Sequence, residues 1–208
     1  MLYDISPPIS PALDVWPTDV PLTREVQADM HAGDGVTLSS IRATVHLGAH
    51  ADAPSHYDPT GISIEQCDLE NYLGLCQVIR TNVPRRTAIT PSMLGEPLRA
   101  PRVLLATGTY SDPTAFNDDF AALSVELLDH LHTGSVRLIG IDTPSVDLFT
   151  DTNLPVHRQA AQHNILLLEG LSLQNVPAGI YELIALPLRL VGFDASPVRA
   201  VLRAQDSA

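Results

Sequence analysis

Three histidines and one aspartate lie within eleven consecutive residues, in the segment HLGAHADAPSH at positions 46–56. The chain has only 8 histidines in 208 residues, so this clustering sets the segment apart. Neutral imidazole is a common ligand of transition metals, and a neighbouring carboxylate adds negative charge and an oxygen that can bridge two ions. A site made of His46, His50 and Asp52 would keep coordination positions open, as catalytic metal sites do. The alternative is a loop of solvated or hydrogen-bonded histidines.

The spacing of His46 and His50 would place both side chains on one face of a helix. The residues around them argue against a helix, because Gly48 lies between them, a run rich in β-branched residues precedes them and Pro54 follows. We therefore predict an irregular strand-to-loop turn, in which Gly48 lets the backbone bend so that both imidazoles converge. His56 follows the stiff Pro54 and could be a further ligand or a general acid/base.

Composition and charge exclude several classes of protein. The chain is long enough for one domain with a large core, and its 45% apolar and 17% charged residues exclude intrinsic disorder. With 24 acidic against 12 basic residues, the net charge of −12 argues against binding to nucleic acids or anionic membranes. The two cysteines predict reduced thiols rather than a disulfide framework. We find neither a signal peptide nor a membrane-spanning run, and we predict a cytoplasmic protein.

The elements that must position the cluster are short and separated by proline and glycine. Near-continuous apolar runs predict strands covered on both faces, and the alternation of helix and buried strand favours α/β architecture with mixed pairing. A helix is predicted after Ser124 as N-cap, another around residues 154–163 with Asn153 as cap, and a short one at Thr90–Pro91. The predicted strands are 37–46, 77–83, 102–107, 135–142, 165–169, 181–190 (with an edge or bulge at Pro187) and 197–203.

The motif at 46–56 resembles the HxGTHxDxPxH signature of the cyclase-like metal-dependent hydrolases, a family that includes the bacterial kynurenine formamidases. Ala49 stands where the signature has Thr, which is not a ligand in that family. The resemblance extends over essentially the whole chain. The segments that resemble the formamidases are VWP (15–17), IGIDTPSVD (139–147), LPVHRQA (154–160), ILLLEGL (165–171) and the stretch 181–203.

The resemblance implies a single cyclase-type β/β/α domain over residues 1–208, with a mixed, mostly β sheet curled toward a barrel and helices outside. It also implies a second metal held by His157, Glu169 and a bridging Asp52, with two zinc ions expected and manganese, cobalt or cadmium as alternatives. His56 would be the proton shuttle, Trp16 would contact the substrate, and the protein would be a homodimer.

Taken without the resemblance, these residues have simpler interpretations. Glu169 could be a strand-end carboxylate facing water, although burying it there requires a partner or a metal. His157 could be an ordinary helix residue, and Trp16 could pack in the core or anchor a loop. Asp142 could support a ligand or stabilise a turn.

The activity that the resemblance implies is hydrolysis of N-formyl-L-kynurenine to L-kynurenine and formate, a step of tryptophan breakdown. Metal-activated water would attack the formyl carbon, with His56 moving the proton. One alternative keeps the site but changes the small-molecule substrate to another aryl or cyclic amide, as in isatin-type ring opening. The other is a metal-dependent small-molecule binding protein without turnover.

Overall fold

The computed structural model describes residues 1–205, and its main feature is a nine-stranded mixed sheet. Within that range, two further pairs of strands form small sheets of their own. In chain order the strands are β1 (Leu2–Asp4), β2 (Thr23–Ala28), β3 (Leu38–Arg42), β4 (His50–Asp52), β5 (Leu73–Arg80), β6 (Ala88–Ile89), β7 (Arg102–Ala106), β8 (Ala122–Leu123), β9 (Leu138–Ile141), β10 (Leu166–Glu169), β11 (Gly179–Ile184), β12 (Ala195–Pro197) and β13 (Val201–Ala204), and the α-helices are α1 (Val125–Thr133) and α2 (Pro155–His163).

The main sheet has the order β1-β13-β11-β5-β7-β9-β10-β4-β12. Strands β5, β7, β9 and β10 are parallel, and the strands on both sides of them are antiparallel. Every residue of β7, β9 and β10 is buried, as near-continuous apolar runs require in the middle of a sheet. The prediction of a mixed, curled α/β sheet is confirmed.

Both helices pack on one face of this sheet. Leu127, Leu128 and Leu131 of α1 share a buried cluster with Val103 and Leu105 of β7, so the face of α1 predicted from the sequence is the buried one. On the opposite face, a second buried cluster joins alternate strand residues with the small side chains beside the histidine motif. Its members there include Leu104, Leu168, Ala49, Ala51 and Ala53.

Four elements differ from the prediction. The strand predicted over 197–203 is divided between the end of β12 and the start of β13, with no strand over 198–200. The segment 37–46 contributes only β3, which pairs with β2 in an exposed hairpin outside the main sheet. The strand predicted over 181–190 ends at Ile184, so Pro187 lies in the following loop, where its missing N–H removes no ladder hydrogen bond. The short helix predicted at Thr90–Pro91 is a single 3-10 turn over Pro91–Met93.

The predicted cap of α2 was wrong. Leu154, in the left-handed conformation, occupies the N-cap position instead of Asn153, and its side chain makes no capping hydrogen bond. The carboxylate of Asp147 accepts hydrogen bonds from the backbone N–H groups of Val156 (2.8 Å) and His157 (3.1 Å) instead. A side chain from the preceding loop therefore accepts hydrogen bonds from backbone N–H groups that have no partner within the helix.

Cys67 and Cys76 are both buried and free, which agrees with the prediction of reduced thiols. Among residues 1–205, no helix has the length and apolar character needed to cross a lipid bilayer.

Candidate metal centre

The histidine motif forms an irregular, non-helical turn as predicted, but this turn leads from a loop into strand β4 rather than from a strand into a loop. Gly48 adopts a φ of +60°, in the left-handed region that favours glycine, and β4 begins two residues later at His50. The rings of His46 and His50 come within 5.0 Å of each other, centroid to centroid. Pro54 then opens a 3-10 turn that ends at His56. The bend at Gly48 thus brings the two imidazoles together without a helix.

Asp52 lies between two groups of imidazoles. Its Oδ1 atom is 3.1 Å from Nδ1 of His46 and 3.5 Å from Nε2 of His50. Its other oxygen, Oδ2, is 3.5 Å from Nε2 of His157. The Asp52 side chain is fully buried, so one carboxylate presents a separate oxygen to each group, as a bridging ligand would.

Sheet register places Glu169 next to the same imidazoles. Strand β4 pairs with β10 so that His50 lies opposite Glu169, the last residue of β10. The Glu169 carboxylate is 3.4 Å from Nε2 of His50 and 3.5 Å from Nε2 of His157. His157 reaches this point from the first turn of α2. The five residues that the sequence suggested as ligands therefore converge from β4, its preceding loop, β10 and α2.

The charges in this cluster reinforce one another. Burial raises the pKa of Asp52, but the contacts with His157, His46 and His50 outweigh burial and hold that pKa well below its usual range. Burial lowers the pKa of His46, yet Asp52 and then Asp194 raise it to about 9. For His157, Asp147 and Asp52 outweigh burial in the same way and raise the pKa to about 10. The Asp52 carboxylate is thus ionised and attracts cations.

The donors fit a divalent metal ion. Within residues 1–205, Nε2 of His50 and both oxygens of Asp52 are buried without a hydrogen-bond partner, although buried polar atoms are normally paired. Two groups there could each hold an ion, His46/His50/Asp52 and Asp52/His157/Glu169, and all of their ligand atoms are imidazole nitrogens or carboxylate oxygens. This set suits zinc, manganese or cobalt.

His56 lies next to the cluster with 32% of its side chain exposed. Its ring is 4.2 Å from that of His46 and 5.8 Å from that of His157, centroid to centroid. Burial lowers the pKa of His56, which favours the neutral imidazole that a general base requires.

Asp194 is a site residue that the sequence reasoning missed. Its Oδ2 atom is 3.0 Å from Nε2 of His46 and 3.5 Å from Nδ1 of His56. A further group of three potential ligands in residues 1–205 consists of His46, His56 and Asp194. The only sequence signal was that Asp194 belongs to the C-terminal stretch 181–203 that resembles the formamidases.

A cavity of about 940 Å³ opens onto this cluster. Its lining includes His50, His56 and Glu169 together with an aromatic group formed by Trp16, Phe116 and Phe149. The Trp16 ring is 5.0 Å from the ring of Phe149 and 5.7 Å from that of Phe116, centroid to centroid. Trp16 therefore belongs to the cavity wall.

Asp142 also lines the cavity, but it is fully engaged with the turn that follows β7. Its carboxylate accepts hydrogen bonds from the N–H groups of Thr107 and Gly108 and from the Thr107 hydroxyl. Of the two roles considered for Asp142, these contacts favour stabilisation of a turn.

Comparison with known proteins agrees with this geometry. The model of the Cyclase family matches residues 3–148. A potential metal-dependent hydrolase with cyclase activity is 28% identical, with a TM-score of 0.84 over 97% of this chain and 96% of the other. A predicted metal-dependent hydrolase from Bacillus stearothermophilus is also 28% identical, with a TM-score of 0.82 over 97% of both chains.

Isatin hydrolase A from Labrenzia aggregata, bound to benzyl benzoate, has the same fold at 21% identity, with a TM-score of 0.82 over 97% of this chain and 93% of that one. These proteins match nearly the full length of the chain, and the family model covers more than half of it. The chain therefore belongs to the Cyclase family and has the fold of metal-dependent hydrolases.

Proposed function

We propose that the chain hydrolyses N-formyl-L-kynurenine to L-kynurenine and formate. The observation that carries the proposal is the placement of two potential metal groups, which share Asp52, at a cavity with an aromatic wall. An aryl formamide needs both features, because its formyl group must meet the hydrolytic centre while its ring is held by an apolar surface.

The ligands fall into two sets. His46, His50 and Asp52 would hold one ion, and Asp52, His157 and Glu169 would hold the second. Bound divalent ions supply water of lowered pKa and polarise a carbonyl oxygen. The carboxylates keep the centre negative enough to retain cations, and the buried alanines of the motif keep bulk water away from its inner side.

His56 would move the proton. Its neutral imidazole accepts a proton from the attacking water as the water oxygen adds to the formyl carbon. The bond from that carbon to the aryl nitrogen then breaks, and His56 returns the proton to the departing nitrogen. The products are an aromatic amine and formic acid, which releases its proton to the solvent and becomes formate, so atoms and charge balance. Such acid–base assistance contributes roughly 10²–10⁴-fold in rate.

The aromatic group would select the substrate. Trp16, Phe116 and Phe149 offer flat faces and edges to an aminophenyl ketone, and aromatic pairs of this kind add about 0.5–1.5 kcal/mol beyond burial of area. A planar bicyclic amide such as isatin would fit the same wall, and the shared fold of isatin hydrolases supports that alternative substrate.

The test is a comparison of three substrates with zinc-loaded protein: N-formylkynurenine, isatin and a small alkyl formamide. We expect stoichiometric formate and kynurenine from the first, little ring opening of isatin and slow turnover of the third. Faster ring opening of isatin would replace the proposed substrate with the alternative. Binding of all three without any product would indicate a binding protein and contradict the proposal of an enzyme.

A further inference from the structure

Each of the three imidazoles facing Asp52 has its other ring nitrogen held by an oxygen atom. Nδ1 of His50 is 2.8 Å from the backbone carbonyl of Gly48. Nε2 of His46 contacts Asp194, and Nδ1 of His157 is 2.6 Å from Oδ2 of Asp147. Because carbonyl and carboxylate oxygens only accept hydrogen bonds, each of these nitrogens must carry the proton. In the neutral ring, which is the form that binds a metal, the nitrogen that faces Asp52 is then the one with the free lone pair.

Asp147 differs from Asp194, the other carboxylate acceptor, in how firmly it is fixed. Its side chain is 1% exposed, whereas that of Asp194 is 47% exposed. Both Asp147 oxygens are used, since Oδ1 accepts from the backbone of Val156 and Oδ2 from the backbone and ring of His157. One carboxylate therefore fixes the first turn of α2 and the ring that projects from it.

The loop that carries Asp147 is itself attached to the centre. The backbone N–H of Val146, the preceding residue, donates a hydrogen bond of 2.7 Å to Oε1 of Glu169. The backbone N–H of Asp147 donates one of 3.1 Å to the hydroxyl oxygen of Ser145, which holds the loop in shape. The segment 145–147 thus contacts two of the potential ligands, His157 through a side chain and Glu169 through the backbone.

We infer that Asp147 is a positioning residue, which holds His157 in the tautomer protonated at Nδ1 and directs Nε2 to the metal ion shared with Asp52 and Glu169. The inference rests on the proposed function only in treating the cluster as a metal centre. Partners of this kind fix ring orientation, and their loss typically costs 10–100-fold in metal affinity.

The test is a zinc titration of Asp147→Asn in competition with a chromophoric chelator. The amide has the size of the carboxylate, and its oxygen can still accept one of the two backbone hydrogen bonds from α2. Its NH₂ group, however, would donate to Nδ1 of His157 and favour the tautomer that has no lone pair at Nε2. We expect zinc affinity to fall by roughly 10–100-fold at one site. The melting temperature of the metal-free protein should fall as well, since the amide leaves one backbone N–H of the first turn of α2 without its acceptor.

Two controls separate this role from a structural one. Ser124→Ala removes the side-chain cap of α1, so it should lower the melting temperature and leave the zinc titration unchanged. In a His157→Ala background, Asp147→Asn should have no further effect on zinc affinity, because its effect acts through that ring.

Unchanged zinc affinity in Asp147→Asn would overturn the inference, as would an equal loss in the His157→Ala background. The titration contains no substrate, so it is independent of the reaction. Protein that binds zinc as described but releases no formate would contradict the proposed function and leave the role of Asp147 in place.

Discussion

Asp52 and His56 are four residues apart, yet their surroundings assign them different roles. Asp52 is buried and touches imidazoles on two sides, whereas His56 is partly exposed at the cavity. We expect Asp52→Ala to lose metal and activity together, because it removes a charge shared by two sites. His56→Ala should keep its metal and lose about 10²-fold or more in kcat. Metal analysis beside a formate assay checks both variants.

His31→Ala is the matched control for these variants, because His31 is exposed in the loop between β2 and β3. This variant should keep both its metal content and its kcat. Asp52→Asn, which keeps the volume, shows whether any loss in Asp52→Ala comes from misfolding. If His56→Ala protein is depleted of metal like Asp52→Ala, His56 is a ligand and the assignment of acid–base chemistry is wrong.

Trp16 carries the prediction about substrate choice. Trp16→Ala removes the ring that contacts Phe116 and Phe149 in the cavity wall, so KM for N-formylkynurenine should rise by about 2- to 10-fold with metal content unchanged. A small formamide without a ring should be much less affected, and Trp16→Phe should recover part of the loss. Steady-state kinetics with both substrates measure the difference. Equal losses on both substrates would show that Trp16 supports the fold instead.

Whether a site residue can be predicted from the sequence depends on how far along the chain it lies from the residues it contacts. The motif at 46–56 could be recognised because its three histidines and one aspartate lie close together in the chain. His157 and Glu169 were identified through resemblance, since neither position is unusual by itself. Asp194 was missed because its contact with His46 spans 148 positions, and no local pattern marks such a contact. Asp147 was missed because the capping residue was sought next to α2.

At the scale of elements, the close approach of two turns sets the geometry of the site. Gly170 follows Glu169 with a φ of +66°, and a Cβ atom there would lie 2.2 Å from the carbonyl oxygen of Gly48. Gly170→Ala should therefore lower the free energy of unfolding by about 2–4 kcal/mol, from left-handed strain together with overpacking. It should also weaken zinc binding, because Glu169 and the turn at Gly48 must separate. Chemical denaturation and a zinc titration measure the two effects.

Gly95→Ala is the control for that prediction. Gly95 has a similar φ of +72°, but a Cβ atom added there would meet no other atom within 4 Å, so only the conformational strain of about 1–2 kcal/mol should remain. Zinc binding should be unaffected in this variant. A Gly170→Ala protein no less stable than Gly95→Ala would mean that the two turns are not rigidly packed.

Strands could be predicted from the sequence where burial in the core determines their residue types. Strands β7, β9 and β10 are apolar because both faces are covered, so their sequences indicated them directly. Strand β4 consists of His50, Ala51 and Asp52, and its polar residues reflect chemistry rather than strand packing. Strand β2 is exposed or nearly so throughout, so no alternation of apolar residues marks it. Strands β2 and β4 were missed because solvent or function, not the core, determines their residue types.

At the scale of the whole molecule, bound metal should stabilise the fold as well as support hydrolysis. The centre joins β4, β10 and α2, so an ion held there links elements from both halves of the chain. Zinc at a free concentration about 100 times its Kd would add about 2.7 kcal/mol to the free energy of unfolding. For a domain of this length that corresponds to roughly 5–11 °C in Tm.

Prolonged treatment with a strong chelator should therefore abolish hydrolysis and lower Tm together, and zinc or manganese should restore both. Asp52→Ala is the control, since a protein that has already lost its shared ligand should show no further fall in Tm with the chelator. Calorimetry with and without chelator, beside the formate assay, follows the two effects in one preparation. Full activity in rigorously metal-free protein would contradict metal-dependent hydrolysis, and activity lost at constant Tm would mean that the ion acts in chemistry without joining the elements that hold it.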